Sequence, residues 1–327
     1  MVNFMQEIKI TVNENNQRMD KFLKKFLPKA SSGFIYKMLR KKRIKLNHSR
    51  ANPDDIINEG DKVQFYISED TIKSFQNEKT VDNIPVTFGI IYEDSNVLLI
   101  NKPKGLLSHS ASFKDNDTVV KQLISYLYKK GEYIPSKEKT FIPSICNRLD
   151  RNTSGIIIGG KNYITLQVMN KIIKNDKIKK IYRCIVKGTL NKERELKDYL
   201  IKDNKNNKVS ISNKNTLNSK EIHTIIRPLK SNEEFTLLEV ELITGRTHQI
   251  RLHLSAAGYP IIGDQKYGDR KTNYYFKDKF KLTSQFLHGY KIKFLEVNNP
   301  LQYLSNKQFE AQMNERLTKI QRSLFKI

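Results

Sequence analysis

The chain has 327 residues, 38% of them apolar and 28% charged, which is enough for two folded domains and excludes wholesale disorder. Its 59 Lys and Arg against 34 Asp and Glu leave a net charge of +25, a field that attracts polyanions, nucleic acid first among them. Two lone cysteines, Cys146 and Cys184, without a CxxC or Cys/His cluster, exclude a structural zinc site and fit reduced thiols in the cytoplasm.

From the N-terminus, Met19, Phe22, Leu23, Phe26 and Leu27 stand at helical spacing over residues 18–27, and Pro28 ends that helix. Ser31 or Ser32 caps a second helix striped by Ile35, Met38 and Leu39. A strand over 44–46, turns at Asn47-His48 and Glu59-Gly60-Asp61, and an alternating strand over 62–67 complete a small α/β module. Between positions 18 and 50 there are twelve basic residues and one acid, Asp20. Drift toward Lys, Asn and Ile runs through the whole chain, yet drift alone would not exclude acids so strictly. Residues 17–75 are therefore expected to form an RNA-binding domain, with Arg40, Lys41 and Arg43 on its basic face.

Residues 68–85 are polar and aperiodic and read as a linker. Beyond them, strand signals recur over 97–100, 155–158, 182–186, 235–242 and 291–297, with helical patterns over 162–173 and 247–257. Leu238, Val240 and Leu242 alternate with Glu239 and Glu241, as in a strand with one face in water. The fold class is α+β: a catalytic domain over 85–305 on a mixed or antiparallel sheet, preceded by the small α/β domain. The stretch 202–220 reads as an exposed loop or loose hairpin. A weakly helical tail, 306–327, closes the chain. No run approaches the roughly 20 apolar residues of a membrane span and the N-terminus lacks a signal-peptide core, so no membrane partner is expected.

Three clusters could carry chemistry. Asn147-Arg148-Leu149-Asp150-Arg151-Asn152-Thr153-Ser154-Gly155 is a polar loop feeding a buried strand. There Arg148 and Arg151 would keep the Asp150 carboxylate ionised and nucleophilic. Thr244-Gly245-Arg246-Thr247-His248-Gln249-Ile250-Arg251 opens a helix whose arginines could reach phosphate or carboxylate groups. His248 and His253 lie five positions apart, about 140° around a helix, which disfavours a metal pair; they read as structural. Lys179-Lys180-Ile181-Tyr182 sets an aromatic among cations at the start of a strand, a platform on which a base can stack. No P-loop, GxGxxG, HExxH or GxSxG motif is present.

The cluster from Arg148 to Gly155 resembles the RLDxxTSG signature of the large-subunit-rRNA pseudouridine synthase family. Thr244 to Arg251 resembles its TGRxHQ[IL]R motif, Lys180-Ile181-Tyr182 its K-x-Y segment, and Asn101-Lys102-Pro103-Lys104-Gly105-Leu106 its early [DN]KPxGL turn. The N-terminal module is similar to a small RNA-binding domain shared by a small-ribosomal-subunit protein and tyrosyl-tRNA synthetases. Where the family commonly has His before RLD, this chain has Asn147, which cannot titrate near neutrality and so points to a structural role.

The resemblance implies an isomerase that detaches uracil from ribose, rotates it and rejoins it through carbon 5. It implies Asp150 as nucleophile, Arg251 as the cation holding that carboxylate, and Tyr182 at the base. Arg148 would fill the gap left by the flipped nucleotide, with Lys180 and Arg246 as further RNA contacts. Nothing is oxidised or imported, so neither cofactor nor metal is expected. The implied partner is RNA, in particular large-subunit rRNA or its assembly intermediate, met by a monomer. Two rivals remain at this point: an RNA-binding protein without activity, and another Asp-dependent enzyme such as a glycosidase. The latter class needs a second carboxylate, and the sequence offers no obvious one near these clusters.

Overall fold

The computed structural model describes residues 6–78, 80–112, 115–203, 208–212 and 219–326. They fall into two compact units. The first comprises Met1–Val86 with Lys121–Ser144 and Gly160–Gln167, the second Thr87–Val120, Ile145–Gly159 and Val168–Ile327.

The first unit opens with β1 (Gln6–Lys9), β2 (Gln17–Arg18), α1 (Met19–Phe26), α2 (Ser32–Arg40), β3 (Ile44–Leu46), β4 (Ser49–Arg50), β5 (Ile56–Ile57), β6 (Lys62–Phe65) and α3 (Glu69–Phe75). The strands form a sheet in the order β1-β6-β3-β4, beside a β2-β5 pair. The helical stripe of α1 is buried through Met19, Phe22, Leu23 and Phe26, against Ile35 and Leu39 of α2 and Phe65 of β6. Ser31 caps α2 by accepting from the Phe34 amide at 3.1 Å. Asn47 and His48 both have positive φ, 48° and 67°, the primed two-residue turn that joins β3 to β4.

The single acid of the basic stretch, Asp20, is buried and accepts from Arg18 at 3.1 Å, while Arg40, Lys41 and Arg43 are exposed. The solvent face is thus left to the cations. The expected linker over 68–85 is partly wrong, because α3 occupies 69–75. Ser68 caps it, and Ile72 and Phe75, three positions apart, pack into the core. Two apolar residues in under two turns are too few to register as a helical period.

The chain continues as β7 (Gly89–Glu93), β8 (Val97–Lys102), α4 (Val119–Lys129), β9 (Ser144–Ile145), β10 (Ser154–Gly160), α5 (Tyr163–Lys174), β11 (Ile178–Lys187), β12 (Arg194–Asp203), β13 (Lys208–Ser212), β14 (Ser219–Ser231), β15 (Phe235–Leu242), α6 (Gln249–Ala256), α7 (Arg270–Phe280), β16 (Leu287–Phe294), a 3-10 turn (Gln302–Leu304), β17 (Gln308–Glu310) and α8 (Glu315–Phe325). One large sheet runs β13-β12-β14-β15-β11-β16-β10-β8-β7, with β17 beside β16 and β9 beside β10. Antiparallel pairs dominate, and β10 and β16 run parallel, so the sheet is mixed as expected. Its core joins Val97 and Leu99 of β8, Ile156 and Ile158 of β10, Ile292 and Phe294 of β16, and Met169 and Ile172 of α5.

Of the stretch expected as a loop or loose hairpin, 208–212 form β13 antiparallel to β12, and 204–207 and 213–218 lie outside the described residues. The expectation that β15 wets one face fails at Glu241, which is buried. Arg227 and Lys179 reach its carboxylate at 2.9 and 3.1 Å, so ion pairs cover the charged side of a strand central in the sheet. Among the described residues, no helix is long and apolar enough to cross a membrane.

Candidate active site

The loop bearing Asp150 is fixed from behind by the turn after β8. Lys102 is fully buried, and its ammonium donates to the carbonyls of Pro103, Leu106 and Arg151 at 2.9, 2.7 and 3.0 Å. Burial pushes its pKa down to about 7, against the opposing pull of the Asp150 charge. The same turn bonds the loop twice more, from the Gly105 amide to Arg151 O and from Arg151 Nε to Gly105 O. Ser108 accepts from the Leu149 amide and donates to the Leu149 carbonyl. The backbone on either side of Asp150 is therefore held by partners that leave the carboxylate itself uncovered.

On the strand side, Asn147 bonds across β10 with both ends of its amide, accepting from Ile158 N at 2.8 Å and donating to Ile156 O at 3.1 Å. That is backbone work, and it explains why the position tolerates a side chain that does not titrate. Gly155 has φ of +120°, and a Cβ there would sit 2.3 Å from the carbonyl oxygen of Gly289 on β16. The Ser-Gly end of the loop motif thus permits the parallel β10–β16 contact. A Cβ on Gly289 would in turn meet the Tyr182 ring at 3.4 Å, so the aromatic ring packs over a bare backbone.

The other wall is the turn into α6. His248 sits at the N-cap with φ of 56°, which turns it off the helix proper. Gln249 is buried and anchors the turn, accepting from Thr244 Oγ1 and the Arg246 amide and donating to His223 O and Thr224 Oγ1. With the turn pinned, Arg251 points back toward Asp150.

Arg251 joins two carboxylates. Its NH1 donates to Asp150 Oδ2 at 3.0 Å, while Nε and NH2 form a bidentate pair with Asp264 at 2.7 and 2.9 Å. Asp264 also accepts from the amides of Lys266 and Tyr267. Its environment is dry, yet Arg251 holds its carboxyl below the usual range. The Arg251 guanidinium lies 5.1 Å from the centre of the Tyr267 ring, and the Tyr267 hydroxyl bonds His248 Nδ1 at 3.0 Å. His248 Nε2 is 3.9 Å from Asp150 Oδ2.

Asp150, Tyr182 and Arg251 line one cleft of about 80 Å³ together with Arg148, Arg246 and His248. Arg148 and Arg246 are exposed at it. Burial and the nearby Asp150 charge both push the Tyr182 phenol up. Lys180, half-buried on β11, is not among the residues lining the cleft.

Reading the sequence alone misses Asp264, Lys102 and the place of His248. Asp264 carries one local signal, its position between Gly263 and Gly268 in a turn. The sequence offers no obvious second acid near these clusters, and Asp264 is the one that the structure brings to Arg251. Asp264 shares Arg251 with Asp150, and the Arg251 guanidinium and the Lys266 and Tyr267 amides donate to the Asp264 carboxylate. Among the described residues there is no group of three or more His, Cys, Asp or Glu able to hold a metal.

Residues 96–256 match the model of the RNA pseudouridylate synthase family. An uncharacterized RNA pseudouridine synthase of Mycoplasma capricolum is 34% identical over 93% of this chain and 96% of its own length. The chain belongs to the RNA pseudouridine synthase family. It is accordingly an RNA-modifying isomerase. A ribosomal large subunit pseudouridine synthase C of Buchnera aphidicola subsp. Baizongia pistaciae is 32% identical over 91% of this chain and 94% of that one. Human RNA pseudouridylate synthase domain containing 4 shares the fold, with a TM-score of 0.57 and 20% identity over 72% of this chain and 92% of that one.

Proposed function

We propose that this synthase isomerises specific uridines of large-subunit ribosomal RNA with Asp150 as its nucleophile. The observation that carries the proposal is the Arg251 guanidinium, locked to Asp264 on one side and presenting Asp150 in the cleft on the other. Asp150 adds to the anomeric carbon or to the base, and the glycosidic C–N bond breaks. Uracil turns, its carbon 5 bonds to the anomeric carbon, the proton on carbon 5 leaves to the medium or a base, and N1, freed from the sugar, takes up a proton in its place. The Asp150 carboxylate is regenerated, and no atom is gained or lost. Tyr182 offers a stacking face beneath the base, and its raised pKa keeps its hydroxyl protonated as a donor. A stacked uridine cannot reach Asp150, so the nucleotide flips, and the exposed Arg148 fills its place. Arg246 and Lys180 contact the flanking backbone.

In this reading residues 17–75 form the RNA-binding domain, working through Arg40, Lys41 and Arg43. Residues 85–305 are catalytic and 306–327 a C-terminal tail. The enzyme acts as a cytoplasmic monomer, and an internal rearrangement calls for no cofactor or metal. The ribosomal target is favoured by the relatives named as large-subunit synthases C and D. Pseudouridine mapping across all RNAs, with and without the gene, tests it. Loss of discrete sites in large-subunit rRNA is expected, and losses confined to other RNAs would overturn the target.

A further inference from the structure

From the surface around α7 we infer that the catalytic unit carries a second, phosphodiester-binding site for RNA, built from Lys104, Lys281 and Arg316. The inference rests on the enzyme acting on RNA, and does not depend on the role of Asp150.

Three segments distant in sequence bring these cations together. Lys104 donates to Thr283 Oγ1 at 3.4 Å, and Arg316 NH1 donates to the Lys281 carbonyl at 3.3 Å. Lys104 and Arg316 are close enough that the guanidinium charge, added to burial, lowers the Lys104 pKa. Among the described residues none of the three has a carboxylate partner in an ion pair, and the Lys281 ammonium donates to the Asp278 carbonyl. A pocket of about 500 Å³ lies here, lined by Lys104 and Arg316, with Glu315 as the one acid, and also by Asn152 and Leu287. Asn152 belongs to the catalytic loop, and Leu287 also lines the catalytic cleft. Crowded like charges raise the free energy of the unbound protein, and a polyanion relieves it.

The helix leading to this cluster continues it. On α7, Arg270, Tyr274 and Lys277 fall within about 60° of one another around the axis, at 100° per residue, and Lys281 follows as the C-cap. These side chains are exposed, whereas Thr272 and Phe276 on the far side of the helix are buried. Tyr274 is 77% exposed, the most exposed of the large apolar side chains among the described residues. A bare aromatic ring between cations suits a nucleic-acid strand, whose phosphates meet the charges and whose bases stack on the ring. Asp278 is the one acid of the helix. At roughly 16 Å, the helix is long enough to track several phosphates. The occupant is thus substrate RNA beyond the target nucleotide, held near the loop that presents Asp150.

The test is the salt dependence of RNA affinity for the full-length protein. Lys104→Gln/Lys281→Gln/Arg316→Gln should flatten the slope of log affinity against log salt by about two, at roughly 0.7–0.9 for each phosphate no longer neutralised. A charge-matched control, Lys174→Gln/Lys192→Gln/Lys230→Gln, alters exposed lysines elsewhere and should leave the slope within about half a unit of wild type. Tyr274→Ala should weaken binding about tenfold at fixed salt with the slope unchanged, because stacking releases no ions. Equal slopes for the patch and control variants overturn the site. Stabilisation by inorganic phosphate alone that disappears in the patch variant, with an unchanged RNA slope, would make the pocket a small-anion site and overturn the RNA assignment. Failure of the catalytic reading would show instead as turnover surviving Asp150→Asn, which none of these binding slopes reports.

Discussion

Arg251 reaches Asp150 through NH1 alone, at 3.0 Å, because its other two nitrogens that bond carboxylate are spent on Asp264. The two acids therefore have different duties. Asp264, almost wholly buried, is a fixed anchor, whereas the Asp150 side chain keeps 27% of its surface open to the cleft. The geometry thus leaves Asp150 both oriented by Arg251 and reachable from the cleft.

Asp150→Asn should abolish isomerisation while RNA binding stays within a few-fold. The substitution keeps the shape of the side chain and removes the attacking charge. Single-turnover assays on uridine-containing RNA decide it, and retention of more than a few per cent of the rate would sink the assignment.

Asp264→Asn tests the anchor. It leaves a buried guanidinium short of its bidentate partner, a change expected to cost about 3 kcal/mol of stability by the usual penalty for breaking a buried pair. Turnover at saturating RNA should fall with it, since Arg251 is then free to swing. Arg251→Lys should also be impaired, because an ammonium cannot fork between two carboxylates. If Asp264→Asn lowered the unfolding free energy yet turned over normally, Asp264 would be structural only.

How much of this is readable from residues alone depends on range. The α1 and α2 stripes, the Ser31 cap and the strand at 235–242 follow from local spacing, and the structure reproduces them. Asp150, Tyr182 and Arg251 stand out through their motifs, and they do line one cleft. Asp264 is invisible because its meaning lies in a pairing thirteen residues away with a side chain that already has an assigned partner. Lys102 escapes notice because nothing local distinguishes a buried lysine from the many exposed ones of so basic a chain. His248 is misplaced by assuming helical geometry at a residue whose φ is positive.

Tyr182→Phe should separate stacking from hydroxyl chemistry. The ring over Gly289 is kept, so RNA affinity should hold. The turnover step should slow, because the protonated phenol is the donor removed. Were Tyr182 merely a core aromatic, Phe would turn over at the wild-type rate and shift only the melting temperature. The pH profile adds a check: burial raises this phenol, so no alkaline limb should appear in the ordinary tyrosine range.

The pH dependence of stability should carry a signature of His288. This residue is 1% exposed, and its Nε2 faces the Ala311 carbonyl at 3.0 Å while Nδ1 lies 2.8 Å from Ser154 Oγ. A carbonyl only accepts, so Nε2 carries the proton and Nδ1 accepts from the serine hydroxyl. Burial lowers the pKa to about 4, so the ring is neutral in the folded protein at pH 7. The unfolded chain, with an ordinary histidine pKa of about 6.5, binds a proton first as pH falls. Stability from this group is therefore complete above about pH 6.5, declines between there and about pH 4, and levels off below. At 1.36 kcal/mol per pKa unit the decline amounts to about 3 kcal/mol. The half-buried His248 and the buried His253 are also lowered by desolvation and add to the slope. The decisive quantity is thus a difference: denaturant unfolding free energies at pH 7 and pH 4.5, for the wild type and for His288→Gln. The variant should lose less stability on acidification than the wild type. Equal losses in the two proteins would mean that His288 is already charged in the fold, or that its bond to Ser154 does not form as described. Because Ser154 ends the loop that presents Asp150, protonation of His288 in the fold, near pH 4 and below, should also loosen the β10–β16 junction, where Ser154 pairs with His288. Turnover in the wild type should then fall near pH 4 more steeply than RNA binding does.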